Sequence, residues 1–355
     1  QSLPGLNPLR ACLETPPHTP GKRSGTIAHL CLLVRAPMNL LIRALLLILA
    51  GVVFFFLMGV YLTWAPDKPV DALKERWAQP PSQFVGVQGM QVHLRDEGPR
   101  DDPNPIVLLH GTSASLHTWE GWAEALKDKR RVIRFDLPGF ALTGPNPEND
   151  YSVESYVRFV TAMVDQLGVQ KFVLGGNSLG GQIAWATAVA LPQRVSSLIL
   201  VDASGYPFES ATTPVEVPLG FQIARFQIFK PLLLNTLPRG LVDKSVKAVY
   251  GDPSKVTPPL VDLYYDMTLR AGNRAALGRR IEQGYTGNIQ DLSQIKVPTL
   301  LLWGGRDRLI PLEFGERFAR DIGGSKLVVF GELGHVPHEE DPALTVAEVK
   351  KFLGM

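Results

Sequence analysis

The sequence predicts an α/β fold: a mostly parallel sheet flanked by helices, with a helical insertion between two late strands and a transmembrane helix at its N-terminal side. Short apolar runs typical of buried strands alternate with helical stretches. A glycine-rich turn joins one strand to a helix, and an uncharged apolar run precedes the alternation. With 355 residues, 45% hydrophobic and 20% charged, the chain is long enough for a sizeable core.

Charge and cysteine content disfavour several classes of protein. The formal net charge of +2 gives no sign of a nucleic-acid partner. Cys12 and Cys31 both precede the long apolar run, so the remainder of the chain has no disulfide framework. His335 and His338 come nearest to a metal-ligand pair, but they lack a third ligand. We therefore expect neither a metal nor an organic cofactor.

Residues 1–37 are unlike a folded domain, because prolines and glycines interrupt any periodicity. We expect a disordered extension. Met38 and the short basic stretch after it resemble a start site, so our hypothesis is that residues 1–37 lie upstream of the native protein.

Residues 38–66 are predicted to be a single-pass membrane anchor. Residues 44–66 carry no charge, and about 20 apolar residues in a helix span a bilayer core. Tyr61 and Trp64 are placed as interfacial aromatics are. The alternative is a cleaved signal peptide, whose apolar core is usually only about 7–15 residues long. Basic residues before the run favour a cytoplasmic N-terminus and an external, periplasmic or extracellular, C-terminal domain.

A proline-rich linker is predicted over residues 67–81. The alternation then predicts a core from residues 82–204 and 296–355, with residues 205–295 as a helical insertion. Strands are predicted at residues 83–88, 91–96, 106–109, 131–135, 171–174, 197–201, 299–303 and 326–330. Helices are predicted at residues 119–127, 151–167 and 182–191.

The turn Gly176-Asn177-Ser178-Leu179-Gly180 is the candidate nucleophile site. A serine hydroxyl is a weak nucleophile until its proton is removed and its oxygen stands clear of the backbone. A sharp strand-to-helix turn exposes the oxygen, and glycines are needed where flanking side chains would clash. The following helix directs its N-terminus at the site, so we expect the N–H of Leu179 to face a developing negative charge.

A base and an orienting acid are needed beside Ser178. Histidine is the natural base near neutral pH. His335, in the loop after the last strand, is the candidate, whereas His338 is expected to begin a helix. Asp307, after the penultimate strand, is the expected carboxylate that holds the imidazole tautomer and stabilises the imidazolium.

From about residue 83 to the end, the chain resembles the α/β-hydrolase family. Several motifs stand in that family's order: His110-Gly111, Asp136-Leu137-Pro138-Gly139, the Gly176 to Gly180 turn, the run from Trp303 to Pro311, and the run from Gly334 to Glu340. The order Ser178, Asp307, His335 also matches the order known for this fold. Ala141 and Thr143 depart from the pattern, because relatives commonly have Gly and Ser there.

The resemblance implies further roles. Thr112 N–H is the expected second oxyanion donor, and His110 is expected to be structural. The insertion is expected to form a cap over the site. Asp202 is the alternative acid, because a few relatives use that position. Ser113 and Ser115 either add a hydroxyl near the oxyanion or are merely polar loop residues.

These expectations converge on a membrane-tethered serine hydrolase that cleaves carboxylic esters, with a hydrophobic or lipid-like small molecule as the hypothetical substrate. Relatives that act on halides or epoxides have aspartate where Ser178 stands, which disfavours those reactions. Three alternatives remain open: hydrolysis of carbon–carbon bonds in dienoic ketones, amide hydrolysis, and a non-catalytic ligand-binding role.

Overall fold

The computed structural model describes residues 25–224, 232, 234–284 and 287–355. The chain divides into two compact units, Gln1–Leu62 and Thr63–Met355. Each unit has its own architecture.

The first unit contains helix α1, Gly25–Leu62. Within it, Ile42–Leu62 is 21 residues long with a mean hydropathy of 2.8, so it is long and apolar enough to cross a membrane. Residues 25–37 were expected to be disordered, but they form the first part of this helix, which begins well before the apolar run. Residues 1–24 of the same predicted extension lie outside the described residues.

In the described part of the second unit, the strands form one eight-stranded sheet with the order β1-β2-β4-β3-β5-β6-β7-β8. The first two strands form the predicted antiparallel hairpin, β2 is antiparallel to β4, and β3 to β8 pair in parallel. The strands are β1 Gln83–Val87, β2 Met90–Glu97, β3 Ile106–Leu109, β4 Val132–Phe135, β5 Phe172–Asn177, β6 Val195–Val201, β7 Thr299–Gly304 and β8 Lys326–Phe330.

Helices cover both faces of this sheet, which explains its composition. Every residue of β3, β4, β5 and β7 is buried, as a parallel sheet between two helical layers requires. One hydrophobic cluster includes Phe159 and Trp185, and a second includes Trp119 and Trp122. The predicted mostly parallel α/β fold is confirmed.

The helices of the second unit follow the predicted alternation and then fill the insertion. Among the described residues of this unit, they are α2 Val70–Trp77, α3 Glu120–Leu126, α4 Val153–Gln166, α5 Leu179–Ala190, α6 Leu219–Ala224, α7 Arg239–Ala248, α8 Pro258–Leu269, α9 Asn273–Gln283, α10 Leu312–Asp321, α11 Pro337–Glu340 and α12 Pro342–Leu353. Helices α6 to α9 lie between β6 and β7, in the stretch predicted to be a helical insertion.

Residues 63–77, which we call the strap, pack against the insertion. Lys68 Nζ and Trp77 Nε1 donate to the buried carboxylate of Asp266 on α8 at 2.7 and 2.9 Å. The strap also exchanges backbone hydrogen bonds with the insertion, including Ala271 N–H to the Lys68 carbonyl. Leu73 on α2 is buried. Most of the predicted linker is therefore a folded part of the second unit, because long-range polar contacts and Leu73 hold it.

We expect Asp266→Asn to destabilise the protein by about 1–3 kcal/mol, because the bonds from Lys68 and Trp77 lose their charged acceptor. Asp71→Asn is the matched control on the strap. Its side chain is 84% exposed and pairs with Lys74, so we expect a change within about 0.5 kcal/mol. The urea midpoint of each purified variant measures this. Equal midpoints for both variants would show that the charge of Asp266 contributes no stability through Lys68 and Trp77.

Candidate active site

Ser178 stands where β5 ends and α5 begins. Its φ of 54° and ψ of −117° lie outside the regions that non-glycine residues prefer, so the turn is strained. The surrounding backbone holds this conformation. Ser178 N–H donates to the Val201 carbonyl at 3.1 Å, and its carbonyl accepts from the N–H groups of Gln182 and Ser204, each at 3.0 Å.

Glycines allow the chain to pack this closely around Ser178. A Cβ on Gly176 would lie 2.2 Å from the carbonyl oxygen of Gly180, and a Cβ on Gly180 would lie 2.3 Å from that of Leu109. The predicted clashes at both glycines are confirmed. Gly111 adds a third close approach, since its Cβ would lie 3.2 Å from Ser178 Cβ. The loop after β3 therefore passes directly beside the candidate nucleophile.

The two predicted oxyanion donors flank this contact. Thr112 directly follows Gly111, and Leu179 is the first residue of α5. In the described part of the chain, neither N–H donates a hydrogen bond. Ser115 is engaged elsewhere, because its hydroxyl lies 2.9 Å from Nδ1 of His117. Ser113, by contrast, borders two narrow spaces, and the smaller of them has no room for a water molecule.

The insertion supplies apolar side chains to these spaces. Leu263 and Met267 of α8 border the smaller space, and Met267 also borders the larger one together with Leu277 of α9. Ala141, one of the two departures from the family pattern, also borders the larger space. The other, Thr143, accepts a hydrogen bond from His93 N–H at 3.1 Å. Apolar residues of the insertion therefore lie next to the loop that carries Thr112.

His335 and Asp307 form a buried pair. Nδ1 of His335 lies 2.7 Å from Oδ2 of Asp307. The other carboxylate oxygen accepts from the N–H groups of Leu309 and Ile310 at 2.8 and 2.9 Å, which fixes the carboxylate. Because the carboxylate is an acceptor, the proton of the neutral imidazole is on Nδ1 and Nε2 is left as an acceptor.

Asn177 connects this pair to the Ser178 turn. Its side-chain amide donates to the carbonyl of His335 at 3.0 Å and to that of Val201 at 3.1 Å. Asn177 directly precedes Ser178, so the loop carrying the candidate base is bound to the turn carrying the candidate nucleophile. The structure thus brings together the elements that bear Ser178, Asp307 and His335.

Glu340 binds the other side of the His335 loop. Its buried carboxylate accepts from the N–H groups of Gly334, Gly251 and Asp252, each at 2.9 Å. The N–H of His335 donates to the Val249 carbonyl at 2.8 Å. The loop is therefore joined to the segment that follows α7 in the insertion. Sequence analysis missed this role of Glu340, although the residue lies inside a motif that it singled out.

Asp202, the alternative acid, lies at the end of β6 with no solvent exposure. Its Oδ1 accepts from Gly304 N–H at 2.8 Å, and among the described residues no hydrogen bond joins it to His335. Asp202, Asp307 and His335 each offer a possible metal-ligand atom within 4.8 Å of the others. Within this group, Nδ1 of His335 and Oδ2 of Asp307 are paired with each other.

Two other histidines are engaged away from Ser178. Nδ1 of His110 lies 2.7 Å from the Gly111 carbonyl, and its Nε2 accepts from Leu137 N–H at 2.9 Å, so both ring nitrogens are used in holding loops. His338 lies on α11 with its Nε2 3.0 Å from the Thr118 hydroxyl, and burial lowers its pKa well below the usual value.

The sequence analysis did not anticipate a second serine, histidine and aspartate joined by consecutive hydrogen bonds. Ser82 Oγ lies 2.9 Å from Nε2 of His93, and Nδ1 of His93 lies 2.7 Å from Asp136. Burial disfavours the charge on Asp136, but His93, His110 and His117 together outweigh it, and the pKa of Asp136 is lowered to about 2. Ser82 precedes β1 and has no positive φ, so it lacks the strained strand-to-helix turn of Ser178. The sequence feature that could have pointed to this arrangement is the Asp136-Leu137-Pro138-Gly139 motif.

Comparison with known proteins gives several matches. A family model for the alpha/beta hydrolase fold matches residues 104–342. A 2-hydroxy-6-oxo-2,4-heptadienoate hydrolase from Pseudomonas putida is 32% identical over 281 residues, which cover 76% of this chain and 95% of that protein. A thermophilic esterase from Thermogutta terrifontis is 25% identical with a TM-score of 0.61, covering 77% of this chain and 98% of that one.

A solved bacterial membrane phospholipase A is also similar, with a TM-score of 0.65 and 25% identity. The match covers 90% of this chain and 98% of that one. The matched part of this chain is longer than the second unit, Thr63–Met355, and therefore includes part of the N-terminal helix.

We expect Gly180→Ala to destabilise the protein by about 1–3 kcal/mol, because the new methyl group meets the Leu109 carbonyl and the backbone must move. Gly278→Ala is the matched control within α9. A Cβ there meets no atom within 4 Å, so we expect a gain of about 0.4–1 kcal/mol. Urea unfolding of both variants measures the difference. A neutral effect at Gly180 would contradict the close packing described for this turn.

Proposed function

The chain belongs to the α/β-hydrolase family, and from that premise we propose that it is a serine hydrolase that cleaves carboxylic esters through an acyl-enzyme on Ser178. The observation that carries the proposal is the strained Ser178 turn, bound through Asn177 to the loop that holds the His335–Asp307 pair. Strain of this kind, worth about 1–3 kcal/mol, is typical of functional sites.

In the proposed first step, Ser178 Oγ attacks the acyl carbon while Nε2 of His335 takes its proton. Asp307 keeps the imidazole in the required tautomer and stabilises the imidazolium. The N–H groups of Thr112 and Leu179 bind the oxyanion, and each such donor typically contributes about 2.7–4 kcal/mol in the transition state. His335 then protonates the leaving alcohol.

The second step releases the acid. Water attacks the acyl carbon as His335 takes its proton, and Ser178 recovers its proton when the tetrahedral intermediate breaks down. In this scheme the chain's own residues carry every proton transfer, so it calls for no metal or organic cofactor.

The proposed substrate is a hydrophobic, lipid-like ester. Leu263, Met267 and Leu277 of the insertion bring apolar surface next to the loop with Thr112, which fits the expected role of the insertion as a cap over the site. The similarity to a membrane phospholipase A and to an esterase supports the same class of substrate.

Hydrolysis of carbon–carbon bonds is the second candidate function. The Pseudomonas putida relative, matched over nearly its whole length, is named for a dienoate substrate. A dienoate carries a carboxylate, which a site recognises best with a cation. Arg274 borders the larger space beside Ser113 but is paired with Asp67 at 2.6 Å. We favour an ester substrate because this cation is already neutralised.

We also propose that α1 is a single-pass anchor with the second unit on the external side. The length and hydropathy of Ile42–Leu62 support the span. The similarity to a membrane phospholipase A, which reaches into this helix, also supports a membrane span. Arg43 before the apolar run favours a cytoplasmic N-terminus, and Lys22, Arg23 and Arg35 add to this bias only in a chain that keeps residues 1–37.

A fluorophosphonate probe and p-nitrophenyl esters of graded chain length test the catalytic proposal. We expect labelling and ester turnover that Ser178→Ala abolishes and Ser82→Ala retains, since Ser82 lacks the strained strand-to-helix turn. We expect kcat/KM to rise with acyl length. Labelling that survives Ser178→Ala would contradict the proposed nucleophile. Turnover of a dienoic ketone with no ester turnover would establish the second candidate instead.

Alkaline carbonate extraction and protease protection test the anchor. We expect the full chain to stay in the membrane pellet and a C-terminal epitope to be digested only from the external face of sealed vesicles. A Leu49→Arg/Val53→Arg variant should be extracted, because each central arginine opposes insertion by about 2.5–3.5 kcal/mol. Extraction of the unchanged chain would rule out the anchor, and protection of the epitope would reverse the topology.

A further inference from the structure

Asp202 is enclosed beside the proposed catalytic pair, and one of its oxygens is unpaired. It directly follows β6 with a φ of 43° and has no solvent exposure. Oδ1 accepts from Gly304 N–H at 2.8 Å. Oδ2 is buried and has no hydrogen-bond partner in the described part of the chain. A buried carboxylate oxygen without a donor is costly if the group is ionised.

The groups that face Asp202 make a second negative charge there unfavourable. Asp307 and His335 each have an atom within 4.8 Å of it, and the Glu340 carboxylate also acts on it electrostatically. Asp307 accepts hydrogen bonds from three N–H groups, those of Leu309, Ile310 and His335. Three donors favour the ionised form of its carboxyl group. Asp202 accepts only one among the described residues. When two close carboxyl groups compete for a proton, the one with fewer donors holds it.

We propose that Asp202 is a neutral carboxylic acid whose O–H group donates to Asp307, and that it acts as a positioning residue for the Asp307–His335 pair. This role rests on the proposed function. Burial and the neighbouring Asp307 carboxylate raise the pKa of Asp202 well above its usual value, in agreement with the geometry. The proton satisfies the unpaired oxygen and removes the repulsion between the two groups.

The donated hydrogen bond has two consequences for the pair. It fixes the rotation of the Asp307 carboxylate, so that Oδ2 stays aligned with Nδ1 of His335. It also lowers the proton affinity of Asp307, which keeps the proton on the imidazolium during the reaction. Asp202 itself touches no reacting atom in this scheme.

Two substitutions separate a neutral donor from a charged group. Asp202→Ala removes the donor, and we expect kcat for a p-nitrophenyl ester to fall about 10- to 100-fold with little change in KM. Asp202→Asn keeps the shape, an N–H donor for Asp307 and an acceptor for Gly304 N–H. We expect it to recover most of the kcat lost in Asp202→Ala. Unchanged kcat in Asp202→Ala, or equal losses in both variants, would overturn the proposal.

Infrared spectroscopy tests the protonation state without relying on activity. We expect a carbonyl-stretch band of a protonated carboxyl group at neutral pH that Asp202→Asn removes. Glu339→Gln is the control, because burial raises the pKa of Glu339 to about 7 and this group contributes its own band. A spectrum unchanged in Asp202→Asn would overturn the proposal even if Asp202→Ala fails to fold. Failure of the proposed function would appear separately, as ester turnover that survives Ser178→Ala.

Discussion

The close approach of backbone segments at the carboxyl ends of β3, β5 and β6 is the constraint on which the rest of the structure depends. Gly180 packs on the Leu109 carbonyl, Gly111 packs on Ser178, and the Ser178 N–H is bound by the last residue of β6. The positive φ of Ser178 persists because neighbouring strands, buried on both faces, leave the turn no room to relax. The packing of these strands therefore keeps the backbone at Ser178 in its strained conformation.

Buried carboxylates organise the loops around this edge. Asp136, Asp307 and Glu340 each accept backbone N–H groups from segments that have no sheet or helix partner for them. A buried loop must satisfy its N–H groups, and a carboxylate with several acceptor sites does so compactly. The proposed catalytic acid is one member of this set. Like Asp136, it also binds the Nδ1 of a histidine.

The sequence predicted what local patterns encode. The bounds of β3 and β8 match their apolar runs, and the motifs led to Ser178, Asp307 and His335, whose catalytic roles remain predictions. The prediction ended β5 too early, because Gly175 and Gly176 carry no strand signal and are held by the strands on either side. The strap was missed for a related reason. Asp266 binds Lys68 and Trp77 across almost two hundred residues, and no local pattern reports such a contact.

The Val249 carbonyl accepts from His335 N–H, while Gly251 and Asp252 bind the Glu340 carboxylate that also binds Gly334. The insertion is therefore linked directly to the loop that carries the proposed base. In the proposed mechanism, an outward displacement of this segment would pull on the backbone of His335, whose carbonyl Asn177 also binds. Such a displacement would separate the proposed base from Ser178, so the position of the insertion and the reactivity of the Ser178 hydroxyl would be coupled.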